Sequence, residues 1–196
     1  MSIKIILIFS GIAILIFSGL LFVSCVTKAN KTNVKNKKSI VSFYDLEAKS
    51  IDGNIIKMSD FKDKNILIVN VASKCGYTPQ YKGLQELYKT DKDKLHILAF
   101  PSNDFLGQEP GSNKEIKNFC EVNFGVQFDI FEKISVKGSK VHPIYGWLSS
   151  EELNGWNNQG PTWNFSKYLI DKEGKLVGFW GPSIEHQSKD IVNLID

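Results

Sequence analysis

The chain has 196 residues, with 24 basic and 21 acidic side chains and a formal net charge of +3. Every basic residue is a lysine, because the sequence contains no arginine. Proteins that bind nucleic acid usually present a dense basic surface, often with aromatic side chains between the charges. The small net charge and the lack of arginine therefore argue against a nucleic-acid-binding protein.

The start of the chain has the pattern of an export signal. Residues 5–23 carry no charge and follow Lys4, and their length suits either a membrane-spanning helix or the core of a signal. Ser24 and Cys25 come next, an ending that resembles a bacterial lipoprotein signal, in which the cysteine is lipidated. The alternative is an uncleaved membrane anchor. Both predict that residues 1–24 export the chain and attach it to a membrane, facing the periplasm or the cell exterior.

Residues 25–39 predict a flexible tether, because they are polar, lysine-rich and free of aromatic side chains. The remaining residues, 40–196, are enough for one compact domain with a substantial core. This domain contains two cysteines, Cys75 and Cys120. An exported location permits a disulfide between them, so a purely structural bridge is one interpretation.

The first elements of the domain follow from hydrophobic pattern and turn chemistry. Asp52-Gly53 between two alternating runs predicts a β-hairpin. Residues 65–73 read "NILIVNVAS", a nearly continuous apolar run that is typical of a strand covered on both faces. A helix is predicted after Cys75, with Thr78 as its cap and Pro79 as its first residue.

The later elements alternate in the same way. Residues 95–102 predict a second buried strand, and Ser112 with Glu115 forms the capping-box pattern of a helix that carries Cys120. Residues 141–150 predict another helix, and a hairpin is predicted to turn at Glu173-Gly174. Residues 183–195 predict a closing amphipathic helix. This order indicates an α/β fold in which helices flank both faces of a mixed central sheet, preceded by the N-terminal hairpin.

Three segments carry polar groups where strands are predicted to end or begin. Cys75 follows one strand, Gln108 lies in the loop after another, and Trp163 and Asn164 precede a third. In open α/β sheets, sites form at the ends of strands. Each residue alone also fits an ordinary structural role, as a loop amide, a core aromatic or a turn former.

Together these residues fit the demands of peroxide reduction by a thiolate. A free cysteine titrates near ~8.5, and the N-terminus of a helix lowers that value. Cys75 is expected just ahead of a helix, with Lys74 beside it. The amides of Gln108 and Asn164 and the indole of Trp163 are donors that can stabilise charge on sulfur and oxygen.

The segments "NVASKCGYTPQY", "AFPSNDFLGQEPGSN" and "WNFSKYLI" closely resemble the three signature segments of the glutathione peroxidase family, and the match runs from about Ser42 to Val177. The resemblance implies a thioredoxin-like fold and a peroxidase that reduces hydrogen peroxide and organic or lipid hydroperoxides. It implies that the catalytic residues are Cys75, Gln108, Trp163 and Asn164.

The same resemblance implies that Cys120 is a resolving cysteine, which attacks the oxidised Cys75 and forms a disulfide that a thioredoxin-like protein reduces. Glutathione is a less favoured reductant, because family members that use it clamp its carboxylates with basic side chains, often arginine. The short spacer from Phe131 to His142 lacks the interface loop of tetrameric members and indicates a monomer. Burial of Cys120 as an ordinary helix cysteine is the alternative.

Two other functions use the same residues. One is a peroxide sensor or thiol-oxidising relay that passes oxidation from Cys75 through Cys120 to a partner. The other is a non-enzymatic exported lipoprotein in which the two cysteines form a static disulfide. No cofactor or metal is predicted, because the three histidines have no ligand spacing. Asp104 departs from the family pattern, and we expect its carboxylate either to lie near Cys75 or to face solvent.

Overall fold

The computed structural model describes residues 39–195. Two short strands come first and form the predicted hairpin, β1 (Glu47–Lys49) and β2 (Ile55–Lys57), which pair antiparallel. Gly53 has a positive φ in the turn between them, a conformation that glycine adopts without steric cost. The N-terminal hairpin is therefore confirmed.

The central sheet has five strands in the order β5-β4-β3-β6-β7. The strands β3, β4 and β5 run parallel to one another, whereas β6 pairs antiparallel with both β3 and β7. Their bounds are β3 (Asn65–Val71), β4 (Leu95–Pro101), β5 (Asp129–Ile130), β6 (Lys167–Ile170) and β7 (Leu176–Trp180). This mixed sheet, with helices on both faces, confirms the thioredoxin-like fold.

Five helices connect or follow these strands: α1 (Gln80–Asp91), α2 (Asn113–Phe124), α3 (Pro143–Leu148), α4 (Glu151–Asn154) and α5 (Lys189–Val192). The predicted capping box of α2 is present, since Ser112 accepts from the Glu115 backbone and the Glu115 carboxylate accepts from the Ser112 backbone. The predicted cap of α1 is wrong. That helix begins at Gln80 with Pro79 at the cap position, because the Thr78 side chain is bonded elsewhere.

Alternate residues of β3 divide the core into two layers, as the two-residue period of a strand requires. Leu67 and Val69 pack with α1, α2 and α5 on one face, and Ile66 and Ile68 pack with α3 on the other. Cys75 and Cys120 both belong to the layer under α1 and α2. Both cysteines therefore lie on the same face of the sheet.

Two other expectations differ from the structure. The closing helix spans Lys189–Val192 rather than residues 183–195, because two hydrogen-bonded turns come first, Ile184 to Gly181 and Ser188 to Glu185. The strand β5 was not predicted, since two residues are too few to show an alternating pattern.

Residues 1–38 lie outside the described part of the chain, so the export signal, most of the tether and the lipidation of Cys25 stay predictions. Within residues 39–195, no helix is both long and apolar enough to cross a membrane.

Candidate active site

Cys75 lies in a tight turn between β3 and α1, and its side chain is almost fully buried. The turn is held by Thr78, whose Oγ1 accepts from the Cys75 backbone N–H at 3.0 Å and donates to the Ala72 carbonyl at 2.8 Å. The backbone N–H of Tyr77 points to the Cys75 sulfur at 3.4 Å. A backbone donor directed at sulfur stabilises negative charge there.

The loop that follows β4 is fastened to this turn by two residues. The carbonyl of Gln108 accepts from the Lys74 backbone N–H at 3.0 Å. The carboxyl of Glu109 accepts from the backbone N–H of Ser73 at 2.9 Å and from its hydroxyl at 2.7 Å. Leu106, just before Gly107, has a positive φ, so the loop turns sharply here and sends Gln108 back toward Cys75.

Trp163 and Asn164 lie just before β6, next to the strand that leads to Cys75. The Asn70 side chain, inside β3, donates to the Trp163 carbonyl at 3.0 Å, and the Asn70 carbonyl accepts from the Phe165 backbone. The Trp163 ring packs against Phe105 of the β4 loop, with ring centroids 5.3 Å apart. The antiparallel pairing of β3 with β6 therefore carries this segment to the Cys75 end of the sheet.

A hydrogen bond joins the loop that carries Gln108 to the segment that carries Trp163 and Asn164. It runs from Asn164 Nδ2 to Gln108 Oε1 over 2.9 Å. This bond fixes the orientation of the Gln108 side-chain amide, because its oxygen Oε1 accepts from Asn164. The other end of the amide, Nε2, is then the group that can donate to a substrate. The four sequence-predicted residues thus come from three loops that contact one another. Their catalytic roles stay predictions.

Cys120 lies on α2, has no exposed surface and is a free thiol, as is Cys75. Burial raises the pKa of the Cys120 thiol to about 11. Its neighbour is the buried Tyr81 hydroxyl, which lies beside the sulfur without a hydrogen bond of ordinary geometry. An open pocket of about 340 Å³ is lined by Ser73 and Lys74 of the Cys75 turn and by Ile116 and Phe119 of α2.

Asp104 is partly buried and is hydrogen-bonded to the segment after β5. Its carboxylate accepts hydrogen bonds from the Ser135 hydroxyl and from the backbones of Val136 and Lys137, at 3.0, 2.7 and 3.2 Å. The carboxylate therefore anchors the loop after β5 rather than merely facing solvent, and its position near Cys75 stays a prediction.

Three buried polar residues around the site were missed by the sequence reasoning: Asn70, Glu109 and Lys167. All three have 0% exposure. Asn70 interrupts the otherwise apolar run of β3, which is a signal that could have identified it. Burial raises the pKa of Glu109, while its hydrogen bonds from Ser73 act in the opposite direction.

The fold and this arrangement define a class of protein, a thioredoxin-fold thiol peroxidase. Comparisons with known proteins place the chain more closely. The family model described as glutathione peroxidase matches residues 43–149. Glutathione peroxidase-like peroxiredoxin 2 of Saccharomyces cerevisiae is 51% identical over 137 residues, which is 69% of this chain and 85% of the yeast protein.

A Synechocystis protein named hydroperoxy fatty acid reductase gpx1 is 43% identical over 148 residues, covering 71% of this chain and 86% of that protein. The crystal structure of Trgpx in apo form matches with a TM-score of 0.62 and 34% identity, covering 80% of this chain and 97% of that one. The chain belongs to the glutathione peroxidase family and is a peroxidase that acts on hydroperoxides.

Proposed function

We propose that this peroxidase uses Cys75 as its peroxidatic cysteine and Cys120 as its resolving cysteine, and that a thioredoxin-like dithiol protein recycles it. The observation that carries the proposal is the position of Gln108. The Gln108 backbone carbonyl accepts a hydrogen bond from Lys74, the residue before Cys75, and the Gln108 side chain accepts one from Asn164. One loop thereby holds an amide donor between the sulfur-bearing turn and the Trp163–Asn164 segment.

In the first step, the Cys75 thiolate attacks the terminal, hydrogen-bearing oxygen of the hydroperoxide. The S–O bond forms as the O–O bond breaks, so the sulfur becomes a sulfenic acid and the leaving oxygen takes a proton to give an alcohol or water. The Gln108 Nε2 and the Trp163 indole N–H supply donors for the leaving oxygen, while the Tyr77 backbone N–H points at the sulfur.

In the second step, the Cys120 thiolate attacks the sulfenic sulfur, a disulfide forms and water leaves. Cys120 is fully buried, and burial disfavours its thiolate. A disulfide also requires a Cα separation of ~4.4–6.8 Å. We therefore assign an opening of α2 to this step.

A dithiol protein then reduces the disulfide by thiol–disulfide exchange and becomes oxidised itself. The lack of arginine supports this reductant over glutathione, since lysines bind carboxylates as point charges rather than bidentate forks. The name of the yeast relative, a peroxiredoxin, agrees with it. The name of the Synechocystis relative supports lipid hydroperoxides among the substrates.

The location of the enzyme forms part of the proposal. Export through residues 1–24, with attachment through lipidated Cys25 or a retained anchor, would hold a monomeric peroxidase at a membrane surface. Mass spectrometry of the N-terminus of the membrane-extracted protein decides between the two. A lipid-modified N-terminal Cys25 supports lipidation, and an intact Met1 or Ser2 start supports the anchor.

The mechanism is tested by peroxide-dependent oxidation of thioredoxin, with the full chain in detergent. We expect Cys75→Ser to abolish activity. Cys120→Ser should complete a single turnover, accumulate sulfenic acid and lose recycling by thioredoxin. Cys25→Ser is the matched control and should keep full turnover. Thioredoxin-linked turnover in Cys120→Ser would exclude the resolving role, and activity in Cys75→Ser would exclude the entire mechanism.

A further inference from the structure

Lys167 is a fully buried lysine that the steps above do not use. It is the first residue of β6, three positions after Asn164, and has 0% exposure. Its Nζ donates to the side-chain oxygen of Gln80 and to the Phe165 carbonyl, both at 2.8 Å. A buried ammonium is costly unless it is well bonded, and both of these acceptors are neutral oxygens. The cost calls for an explanation beyond packing.

The two acceptors belong to the two sides of the active site. Gln80 is the first residue of α1 and its backbone bonds to Tyr77, within the turn that begins at Cys75. Its side-chain nitrogen also donates to the Pro182 carbonyl at 2.8 Å. Phe165 directly follows Asn164, and its φ is positive. The ammonium therefore connects the start of α1 to the segment that presents Trp163 and Asn164.

The charged and titratable groups around Lys167 come from α1 and from the segment after β7. Burial lowers the pKa of Lys167 to about 7, while Glu185 opposes this shift. His186 is buried, its two ring nitrogens have no hydrogen-bond partner, and burial and Lys167 both lower its pKa while Glu185 and Glu86 oppose this. The His186 ring fills the space over Gly83, where a Cβ would lie 1.9 Å from its Cε1.

We propose that Lys167 is a positioning residue for peroxide reduction. Its ammonium donates hydrogen bonds to both Gln80 and Phe165, and thereby fixes the Cys75 turn relative to the Gln108–Asn164 pair. The charged form donates the stronger hydrogen bonds, because charge-assisted bonds are about twice as strong as neutral ones. Loss of the proton therefore loosens the connection while the side chain stays in place. The proposal rests on the proposed function in that Cys75 is the sulfur that peroxide oxidises.

The test measures the second-order rate constant for Cys75 oxidation by hydrogen peroxide from pH 6 to pH 9, in the Cys120→Ser background that isolates the first step. We expect Lys167→Met to lower this constant about tenfold at pH 6, because small errors in position cost much of the rate. The deficit should shrink toward pH 9, where Lys167 of the parent protein is also neutral. Lys64→Met is the matched control, because it removes a partly exposed lysine whose side chain donates to the Lys92 carbonyl far from Cys75 in the sequence.

A second variant keeps the lysine in place. Gln80→Glu puts a carboxylate at the Oε1 position and holds Lys167 charged at higher pH, since a nearby opposite charge favours the ionised form. The rate constant of Gln80→Glu relative to the parent should therefore rise between pH 6 and pH 9. If Lys167→Met does not fold, the Gln80→Glu variant alone tests whether the charge of Lys167 affects the rate.

The outcomes separate this inference from the proposed function. If Lys167→Met matches the parent at every pH, or if the ratio for Gln80→Glu does not change with pH, Lys167 is a structural residue and the inference is overturned. If peroxide oxidises Cys75 in none of these proteins, including the Lys64→Met control, the proposed function itself fails.

Discussion

Asn164 offers its amide nitrogen to Gln108, and the oxygen of the same amide is buried without a partner. The side chain therefore acts on Gln108 as a donor, which leaves the Gln108 Nε2 for the substrate. An aspartate at this position has nearly the same shape but only acceptors when it is ionised. Replacing Asn164 by aspartate therefore reverses the direction of the hydrogen bond while keeping the shape of the side chain.

We expect Asn164→Asp to slow Cys75 oxidation by about 10²-fold, because the Gln108 amide would turn its donor toward the new carboxylate and away from the peroxide. The rate relative to the parent should recover partly as the pH falls and the carboxyl regains a proton to donate. Stopped-flow measurement of peroxide consumption from pH 4.5 to pH 8 tests this. Asn113→Asp is the control, since Asn113 uses its side-chain oxygen to accept from the Lys133 backbone. An undiminished rate in Asn164→Asp would show that Gln108 needs no orienting partner.

At the scale of elements, the helix α2 has a well-capped N-terminus and carries the buried Cys120, the proposed resolving cysteine. The Ser112–Glu115 capping box begins the helix, and Lys117 forms a salt bridge with Asp52 of the N-terminal hairpin at 2.8 Å. Cys120 lies about two turns after the Ser112 cap, with its side chain inside the core. If α2 opens for the resolving step, its local stability sets how often Cys120 becomes available.

Ser112→Ala should therefore accelerate disulfide formation. Removal of a serine cap costs about 1 kcal/mol, which corresponds to about a fivefold larger open population. Quenched-flow mass spectrometry of the step from sulfenic acid to disulfide measures the effect. Ser42→Ala removes a comparable cap, on the Phe43–Asp45 turn, and should leave the step unchanged. A slower step in Ser112→Ala would indicate that α2 reacts as an intact helix.

The elements show which features the sequence could predict. The strand β3 was predictable because residues 65–71 read as a nearly continuous apolar run. The helix α2 was predictable because Ser112 and Glu115 have capping-box spacing. The start of α1 was not predictable, because the Thr78 hydroxyl can either cap the helix or hydrogen-bond within the preceding turn. A threonine before a proline suits a helix cap, but here the same hydroxyl holds Cys75 and Ala72.

The site was predictable as a set of residues but not as a geometry. The family resemblance supplied Cys75, Gln108, Trp163 and Asn164, whereas the bond between Asn164 and Gln108 depends on β6 pairing with β3, which no local pattern encodes. Lys167 was missed for a related reason. A lysine at the start of a strand normally extends into solvent, and the burial of Lys167 follows only from the presence of Gln80 and the Phe165 carbonyl around it.

At the scale of the whole molecule, buried ionisable groups pull the pH of maximum stability above neutrality. Burial lowers the pKa of Lys167 to about 7, so the folded state binds its proton less well than the unfolded state. Burial raises the pKa of Cys120 to about 11 and raises those of Tyr81, Tyr145 and Tyr168 well above 10. For these four groups, the folded state binds the proton more tightly.

The signs of the two contributions are opposite. Stability from a group with a lowered folded pKa is lost as the pH falls through that pKa, so the free energy of unfolding should rise with pH above about 7 through Lys167. Stability from a group with a raised folded pKa is lost as the pH rises from the unfolded to the folded value. For Cys120, that window runs from its ordinary value of 9.0 to about 11. The reduced protein should therefore be most stable near the pH where the two contributions cross, at about pH 9.

Urea unfolding of the reduced protein between pH 6 and pH 11 measures this balance. We expect the free energy of unfolding to rise by about 2 kcal/mol from pH 7 to pH 9, because each unit of pKa difference is worth 1.36 kcal/mol. Lys167→Met should abolish the rise, and Lys64→Met should follow the parent curve. Cys120→Ser should keep the rise and weaken the decline above pH 9. A rise that survives in Lys167→Met would mean that a group other than Lys167 causes it. A parent curve without the rise would mean that the buried ammonium keeps its proton throughout, held by Gln80 and the Phe165 carbonyl.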